Sequence, residues 1–329
     1  DDMFPESRFR KLPPDHPLFH MVVDIDTASY HCGGEKEGGK PFMEGLYIGS
    51  RVGVLVSKYG LGCGLAGEMD VFAKLETKGL NPKAYSEKTA RLIGENLAPY
   101  IIGYGRVGEA EGKAELFGKL DENAPTSEFI FAQVKHEGAW NAHPGAARQL
   151  LMQLEKDSAI PVNLKRVSVD LARDDISAYP FLFFTGLDNF VLTGKQIDAL
   201  QKHLNSGGTL VVNNALGLAT FHQAVVREMK RAFPQSDLAL LPQSHEIFRN
   251  LNSIQRVKYT PTLMKDKGEQ LQGRPVLFGA KVGGRLCLLY SPYDLEGGWN
   301  EVRYPLSRGY QSASAKQLGC NIIMYAMEH

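Results

Sequence analysis

Four side chains of this 329-residue chain stand where acid–base chemistry could be done: His136, Asp188, His222 and Asp294. A histidine or carboxylate placed at the end of a rigid element is the usual source of a positioned proton donor or acceptor. His136 follows the apolar run Phe129–Val134, Asp188 follows Phe181–Thr185, His222 follows Thr209–Val212, and Asp294 follows Leu286–Tyr290. The same four junctions carry further polar and aromatic groups. Lys135 and Trp140 stand with His136, and Gly186 and Asn189 with Asp188. Asn213 and Asn214 precede His222, while Ser291, Tyr293 and Trp299 surround Asp294. Such a set suits a small ligand or a partner segment. It is also what polar turns at strand ends look like, since Asp and Asn are turn formers.

A nucleophile is harder to find. A hydrolase of this layout needs Ser or Cys on a sharp strand-to-helix elbow. The elbow after Val212 reads Asn213-Asn214-Ala215-Leu216-Gly217, and Ser291 is followed by Pro292, which opens no helix. No His/Cys/Asp/Glu spacing of the H-E-x-x-H kind supports a metal site. Gly62-x-Gly64-x-x-Gly67 follows a strand-like run and precedes the helix-like Met69–Leu75, nearly the setting for a dinucleotide. It lies at the end of a domain, however, and its counterpart Glu296-Gly297-Gly298-Trp299 breaks the pattern. Neither a metal nor a cofactor is expected.

The elements that would position these groups alternate. Phe129–Val134, Val167–Val169, Phe181–Thr185, Thr209–Val212 and Leu286–Tyr290 read as short strands apolar on both faces. Between them, His143–Ser158, the stretch after Thr193 and the stretch from Phe221 to Phe233 repeat apolar residues at helical spacing, and Ala313–Met327 closes the chain as a helix. Buried strands alternating with amphipathic helices mean a mostly parallel sheet covered on both sides: a three-layer, doubly wound α/β domain, flavodoxin-like, over 128–329.

The first hundred residues echo the back half of that domain. Phe4-Pro5-Glu6-Ser7 matches Phe233-Pro234-Gln235-Ser236, and Leu12-Pro13, His16, Phe19 and Ile25 match Leu241-Pro242, His245, Phe248 and Ile254. Val52–Tyr59 then aligns with Leu286–Tyr293, and Asn96 and Tyr100 with Asn321 and Tyr325. Residues 1–105 are therefore expected to be the C-terminal half of a first copy, with 106–127 as a Gly-, Glu- and Lys-rich linker. Half a doubly wound domain exposes a sheet edge, so the first copy should dock on the complete copy, on another chain as protein partner or by self-association, or on a missing front half. A repeated histidine such as His16 and His245 fits a turn cap as well as a ligand.

The ordered set Tyr179–Gly186, Leu192-Thr193, Gly207-Gly208-Thr209-Leu210, Arg227–Arg231, Leu241-Pro242 with His245, and Tyr290–Leu295 resembles a bacterial domain-of-unknown-function family, the one numbered 4159. The resemblance implies a fold similar to class I glutamine amidotransferase-like domains, no assigned activity, and a lean toward the periplasm or cell envelope. That family often carries an acidic pair at the positions of Asn213-Asn214 and an Asp at that of His222.

Bulk properties exclude several classes. Lys plus Arg and Asp plus Glu are both 37, so no basic excess points to nucleic acid. No apolar run reaches the roughly 18 residues of a membrane span. Cys287 and Cys320 sit in apolar runs and read as buried, leaving Cys63 as the thiol to test. The opening Asp1-Asp2-Met3 suggests a piece of a processed or longer polypeptide. The expected function is a non-catalytic or degenerate module that binds a protein partner or small ligand at the carboxyl edge of its sheet. The alternative is an uncharacterised hydrolase-like enzyme using the His and Asp groups above.

Overall fold

A computed structural model describes residues 8–32, 35–67, 83–111 and 128–329. Phe4–Ser7, Met69–Leu75 and residues 112–127 of the expected linker lie outside the described residues. The chain divides into two compact units, Asp1–Glu109 and Ala110–His329.

In the second unit the strands are β7 (Ala132–Val134), β8 (Val167–Val169), β9 (Phe181–Gly186), β10 (Thr209–Asn214), β11 (Ala239–Leu240), β12 (Phe278–Val282) and β13 (Arg285–Ser291). They form one seven-stranded sheet in the order β11-β12-β13-β10-β9-β7-β8. β8, β7, β9, β10 and β13 run parallel, and β12 and β11 close the edge antiparallel. The helices are α3 (Ala146–Asp157), α4 (Gly194–Asn205), α5 (Ala219–Ala232), α6 (Pro261–Leu271), α7 (Glu296–Trp299) and α8 (Ser312–Glu328).

Alternate residues of a strand face opposite ways, so an all-apolar strand must be covered twice. Phe131, Phe183, Val211 and Leu289 pack with Leu150 and Leu151 of α3 and Leu318 and Ile322 of α8. Val134, Leu182, Phe184, Val212 and Leu288 pack with Leu200 of α4 and Phe221, Val225 and Met229 of α5. These two apolar clusters make the domain a mixed α/β fold with a mostly parallel sheet, compatible with three layers. Emptying one such site, as in Phe183→Ala, costs about 3–5 kcal/mol.

Three local departures from the sequence pattern have physical causes. The first helix starts at Ala146, not His143, because Gly145 takes a left-handed φ of 85° at its N-cap. His143 and Pro144 therefore stay in the loop. The strand expected from Phe129 begins at Ala132, with Phe129 making only an isolated bridge to Val162. In Thr260-Pro261, Thr260 caps α6 through its hydroxyl and Pro261 takes the first turn, a start signal the apolar spacing did not show.

In the first unit, β1 (Phe9–Lys11), β4 (Glu44–Ile48) and β5 (Arg51–Val56) form one antiparallel sheet in the order β1-β4-β5. β2 (Ala28–Cys32), β3 (Glu35–Gly39) and β6 (Lys83–Tyr85) form another, in the order β3-β2-β6. The helices are α1 (Leu61–Ala66) and α2 (Glu87–Glu111). Helix α2 runs through Gly103, Gly105 and Gly108 into the stretch that reads as linker. Gly62 and Gly64 belong to α1 rather than to a phosphate loop. Gly64 is a packing glycine: a Cβ there would lie 2.6 Å from the Ala90 Cβ.

Each unit holds its loops with the same kind of bond. In the first, His16 Nδ1 accepts from Leu18 N at 3.1 Å and caps a 3-10 turn, Leu12 N donates to Met43 O, and Ile25 N donates to Phe19 O. The Asn96 carboxamide accepts from Val22 N and Val23 N and donates to Val23 O. In the second, His245 Nδ1 accepts from Ile247 N at 3.2 Å, Leu241 N donates to Leu277 O, and Ile254 N donates to Phe248 O. Asn321 accepts from Asn252 N and Nδ2 and donates to Ile247 O and Asn252 O. Both histidines are thus turn caps, and burial lowers the pKa of His16 to about 3.

Removing a buried carboxamide orphans several backbone groups at once. Asn321→Ala is expected to cost about 2–4 kcal/mol in urea unfolding; a loss below about 1 kcal/mol would show that the backbone reorganises. Cys63 is exposed whereas Cys287 and Cys320 are buried, and burial pushes the Cys320 thiol up to about 12. Peptide mapping after iodoacetamide should therefore find Cys63 alkylated in the native chain, and Cys287 and Cys320 only after denaturation.

Candidate functional site

Parallel pairing sets Thr185, Asn213 and Ser291 side by side at the carboxyl ends of β9, β10 and β13. Asn213 links them to the loop beyond: its Nδ2 donates to Thr185 Oγ1 at 3.0 Å and to Asp294 Oδ1 at 3.3 Å, and its Oδ1 accepts from Leu295 N at 2.8 Å. Asp294 has a second and third donor in Gly297 N and Ser307 Oγ, at 2.9 and 3.2 Å. It also meets His143, whose Nε2 lies 3.1 Å from Asp294 Oδ2, with both side chains fully buried.

These contacts fix the charge states. Burial alone would lower the pKa of His143, but the Asp294 carboxylate overrides it and raises it to about 9. Burial alone would raise that of Asp294, but His143 and the hydrogen bonds hold it below the usual carboxylate range. Both shifts run in the direction that favours an imidazolium–carboxylate pair. The close approach demands glycine: a Cβ on Gly297 would meet Asp294 Oδ2 at 2.4 Å, and one on Gly309 would meet Asp294 O at 2.3 Å.

Glu296 sits on the same network. Thr185 Oγ1 donates to its Oε2 at 2.9 Å, and its Oε1 has no partner. Burial is the largest influence and raises its pKa to about 7, against the pull of His143 and Arg166. Arg166, also buried, donates to Gln133 Oε1 at 2.5 Å and Asn141 Oδ1 at 2.8 Å. The strap 300–309 closes over the cluster. The Tyr304 ring stands edge-on to His143 at 4.2 Å, Ser307 reaches Asp294, and Leu306 holds a positive φ of 55°. The arrangement holds three proton-transfer groups, sealed from water.

The residues singled out from the sequence separate. Asp294 lies at the centre of the network, with Asn213 beside it. His136 is occupied by backbone: Nε2 bonds Thr185 O at 2.7 Å, Nδ1 accepts from Gly138 N, and the ring stacks on Phe184 at 4.0 Å. Asp188 Oδ1 accepts from Asn189 N, and Asn189 Oδ1 accepts from Arg227 Nη2. His222 Nδ1 bonds the Tyr290 hydroxyl at 2.7 Å. His136, Asp188, His222 and Asp294 thus each bond a different neighbour: Thr185 O, Asn189 N, the Tyr290 hydroxyl and His143.

Asn214 bonds Leu218 O and Pro292 O, and Ser291 donates to Tyr293 O. Trp299 is core, packed on Phe131 and Phe183, with its Nε1–H on Ala315 O. Trp140 is 8% exposed beneath the Lys135 ammonium, which sits 5.7 Å from the ring. Gly186 is a close-approach glycine: a Cβ there would lie 2.6 Å from Gly138 O. Tyr293 packs against Tyr259 at 6.0 Å.

Sequence reasoning missed His143, Thr185, Glu296 and Arg166. Glu296 carried a signal, a carboxylate in a Gly- and Trp-rich turn two residues beyond Asp294. His143 was hidden by its assignment to a helix. Among the described residues no group of three His, Cys, Asp or Glu could hold a metal ion, and no helix is long and apolar enough to cross a membrane.

The turn after β10 holds a backbone conformation that favours glycine. Leu216 takes φ 56° and is buried. This conformation costs an ordinary residue roughly 1–2 kcal/mol. Arg308 N donates to Leu216 O and pins it to the strap.

Residues 130–327 match the model of a protein family described as a domain of unknown function (DUF4159). Comparison with curated proteins finds no match.

The Glu296 carboxyl, with its raised pKa, takes up a proton more readily folded than unfolded, so stability falls as pH rises from about 4.5 to about 7. Glu296→Gln should leave stability unchanged near pH 4.5 and raise it by roughly 1–3 kcal/mol above pH 7. Urea unfolding between pH 4 and 8 checks this. A difference that does not change with pH would contradict the assignment. His143 acts over another window: its raised pKa gives stability that is full below about 6.5 and lost as pH climbs through about 9.

Proposed function

Because this chain belongs to the DUF4159 family, whose description names no activity, we propose that it is a non-catalytic, or no longer catalytic, α/β module that binds a small ligand or protein segment at the carboxyl edge of its parallel sheet. The observation that carries the reading is Leu216, an apolar side chain at the strained elbow where a hydrolase of this layout needs Ser or Cys. The buried acid–base groups His143 and Asp294 are spent on each other and sealed.

The parallel strands β7, β8, β9, β10 and β13, numbered one to five, lie in the order 2-1-3-4-5, which supports a flavodoxin-like reading. In that order the chain reverses direction of growth between β7 and β9, and ligands of open α/β sheets bind at such a point. The loops there carry Lys135, Glu137, Asp188 and Asn189, none of them fully buried, and they are fastened together by Leu187 N and Asp188 N donating to Gly138 O.

Strained backbone supports a pre-organised edge. Ala139 (φ 57°), Leu216 (φ 56°) and Leu306 (φ 55°) all lie in loops of the carboxyl edge. Residues in this conformation persist only where their surroundings over-determine them, and they concentrate at functional sites.

The first unit is read as the C-terminal half of a second copy of the domain, complete only over 128–329. Its support is the recurrence of the His16, Leu12, Ile25 and Asn96 bonds at His245, Leu241, Ile254 and Asn321. Linked modules gain avidity without new contacts. A second reading, an uncharacterised hydrolase-like enzyme of the cell envelope, is favoured by one observation: Glu296 with a pKa near 7 beside an ionised His–Asp pair.

Hydrogen-exchange mass spectrometry of the whole chain, with and without a mixed set of polar metabolites, separates the two. The binding module predicts slowed exchange confined to 135–140, 186–190 and 292–295. Turnover of p-nitrophenyl acetate or glutamine that His143→Ala abolishes would replace it with the enzyme reading.

A further inference from the structure

We propose that the outer edge of β5 is the docking site for a parallel apolar strand of a protein partner, of the kind that β10 supplies to β13. The inference rests on the reading of the first unit as a back-half copy of the domain.

β4 and β5 form an antiparallel hairpin, as β12 and β13 do, and β1 flanks β4 as β11 flanks β12. The polar details of the strand ends agree as well. Ser57 Oγ donates to Tyr59 O, and Ser291 Oγ to Tyr293 O. Gly60 N donates to Lys83 O, and Asp294 N to Arg308 O. Phe42 N donates to the Tyr85 hydroxyl, and Val276 N to the Tyr310 hydroxyl. These bonds align Val54, Leu55, Val56 and Ser57 with Leu288, Leu289, Tyr290 and Ser291.

The two strands differ on their far side. Leu288, Leu289, Tyr290 and Ser291 pair in parallel with Leu210, Val211, Val212 and Asn213, and all are buried. β5 is the last strand of its sheet: among the described residues none pairs with it on the side away from β4. Val54 and Val56 are each 41% exposed. An apolar edge with unpaired backbone is a template for another strand, and proteins that keep an edge free protect it with Lys, Pro or a bulge. Gly53-Val54-Leu55-Val56 carries no Lys or Pro, and its register shift at Gly53 recurs at Cys287 of β13, a strand that is paired on both sides.

The chemistry of the occupant follows from β10, a run of Leu and Val flanked by Thr and Asn, entering parallel. A second copy of this chain cannot supply it, because its own β10 is buried between β9 and β13. The proposed partner is a protein segment that carries the front half of such a domain.

The position of Asp294 shows what the first unit does not share. Its counterpart is Gly60 and that of Glu296 is Gly62, so the ionic network is absent from the first unit while the frame persists. The first unit is thus suited to docking rather than to a second polar site.

The test uses the full chain and a soluble peptide of residues 206–214. Hydrogen exchange at Val54, Leu55, Val56 and Ser57 should slow about tenfold or more with saturating peptide, and Val54→Lys with Val56→Lys should remove the effect. The amides of Leu12, Val22 and Val23 report the frame separately. Protected frame amides with no peptide effect on β5 would overturn the docking site and leave the copy reading standing. Fast exchange at Leu12, Val22 and Val23 in the free chain would overturn the copy reading itself. Protection of β5 that rises with protein concentration alone would make a second chain the occupant and overturn the proposal.

Discussion

The carboxyl edge of the second unit depends on one ion pair. His143 follows β7, Asp294 follows β13, and their contact spans a sheet in which β9 and β10 lie between. Two charges out of water are costly unless every lone pair and proton is met. Asp294 has four donors, His143, Asn213, Gly297 and Ser307, whereas His143 Nδ1 is buried with no hydrogen-bond partner. Thr185 and Glu296 join through Asn213. The strap 300–309, the short helix α7 and the loop before α3 are therefore held by a single network, and the backbone strain at Leu216 and Leu306 is borne by the contacts it anchors.

On the proposed reading, that dependence suits the edge to recognition more than to turnover. Catalysis needs a proton-transfer group within reach of a substrate and free to change state. Here the histidine is ionised by its partner and covered by Tyr304, while the elbow offers Leu216. What remains at the surface are the loops after β7 and β9, whose backbones are fastened by Gly138 O. Rigid polar loops on a covered sheet bind with little loss of conformational entropy.

Much of the fold was legible because buried parallel strands have a simple signature. Phe181–Thr185 and Thr209–Val212 are apolar on both faces, and only a covered sheet satisfies that. The correspondence between the two stretches falls on residues that hold loops, where a carboxamide constrains residue type as well as hydropathy, as at Asn96 and Asn321. Helix α6 and the late start of β7 were not legible from apolar spacing. The site was half legible: Asp294 and Asn213 stand at strand ends, where polar groups are informative. His143 was concealed by a helical pattern that Gly145 interrupts, and Glu296 by its glycine-rich turn. Contacts between residues as distant in sequence as His143 and Asp294 leave no local periodicity to read.

The most direct measurement of the central claim is a nitrogen-15 NMR titration of the His143 imidazole in the intact chain. An ion pair that organises the edge predicts that both ring nitrogens stay protonated through neutral pH, with deprotonation near pH 9. A neutral ring at pH 7.5 in the folded protein would contradict it, and would leave the edge without the interaction that orders it.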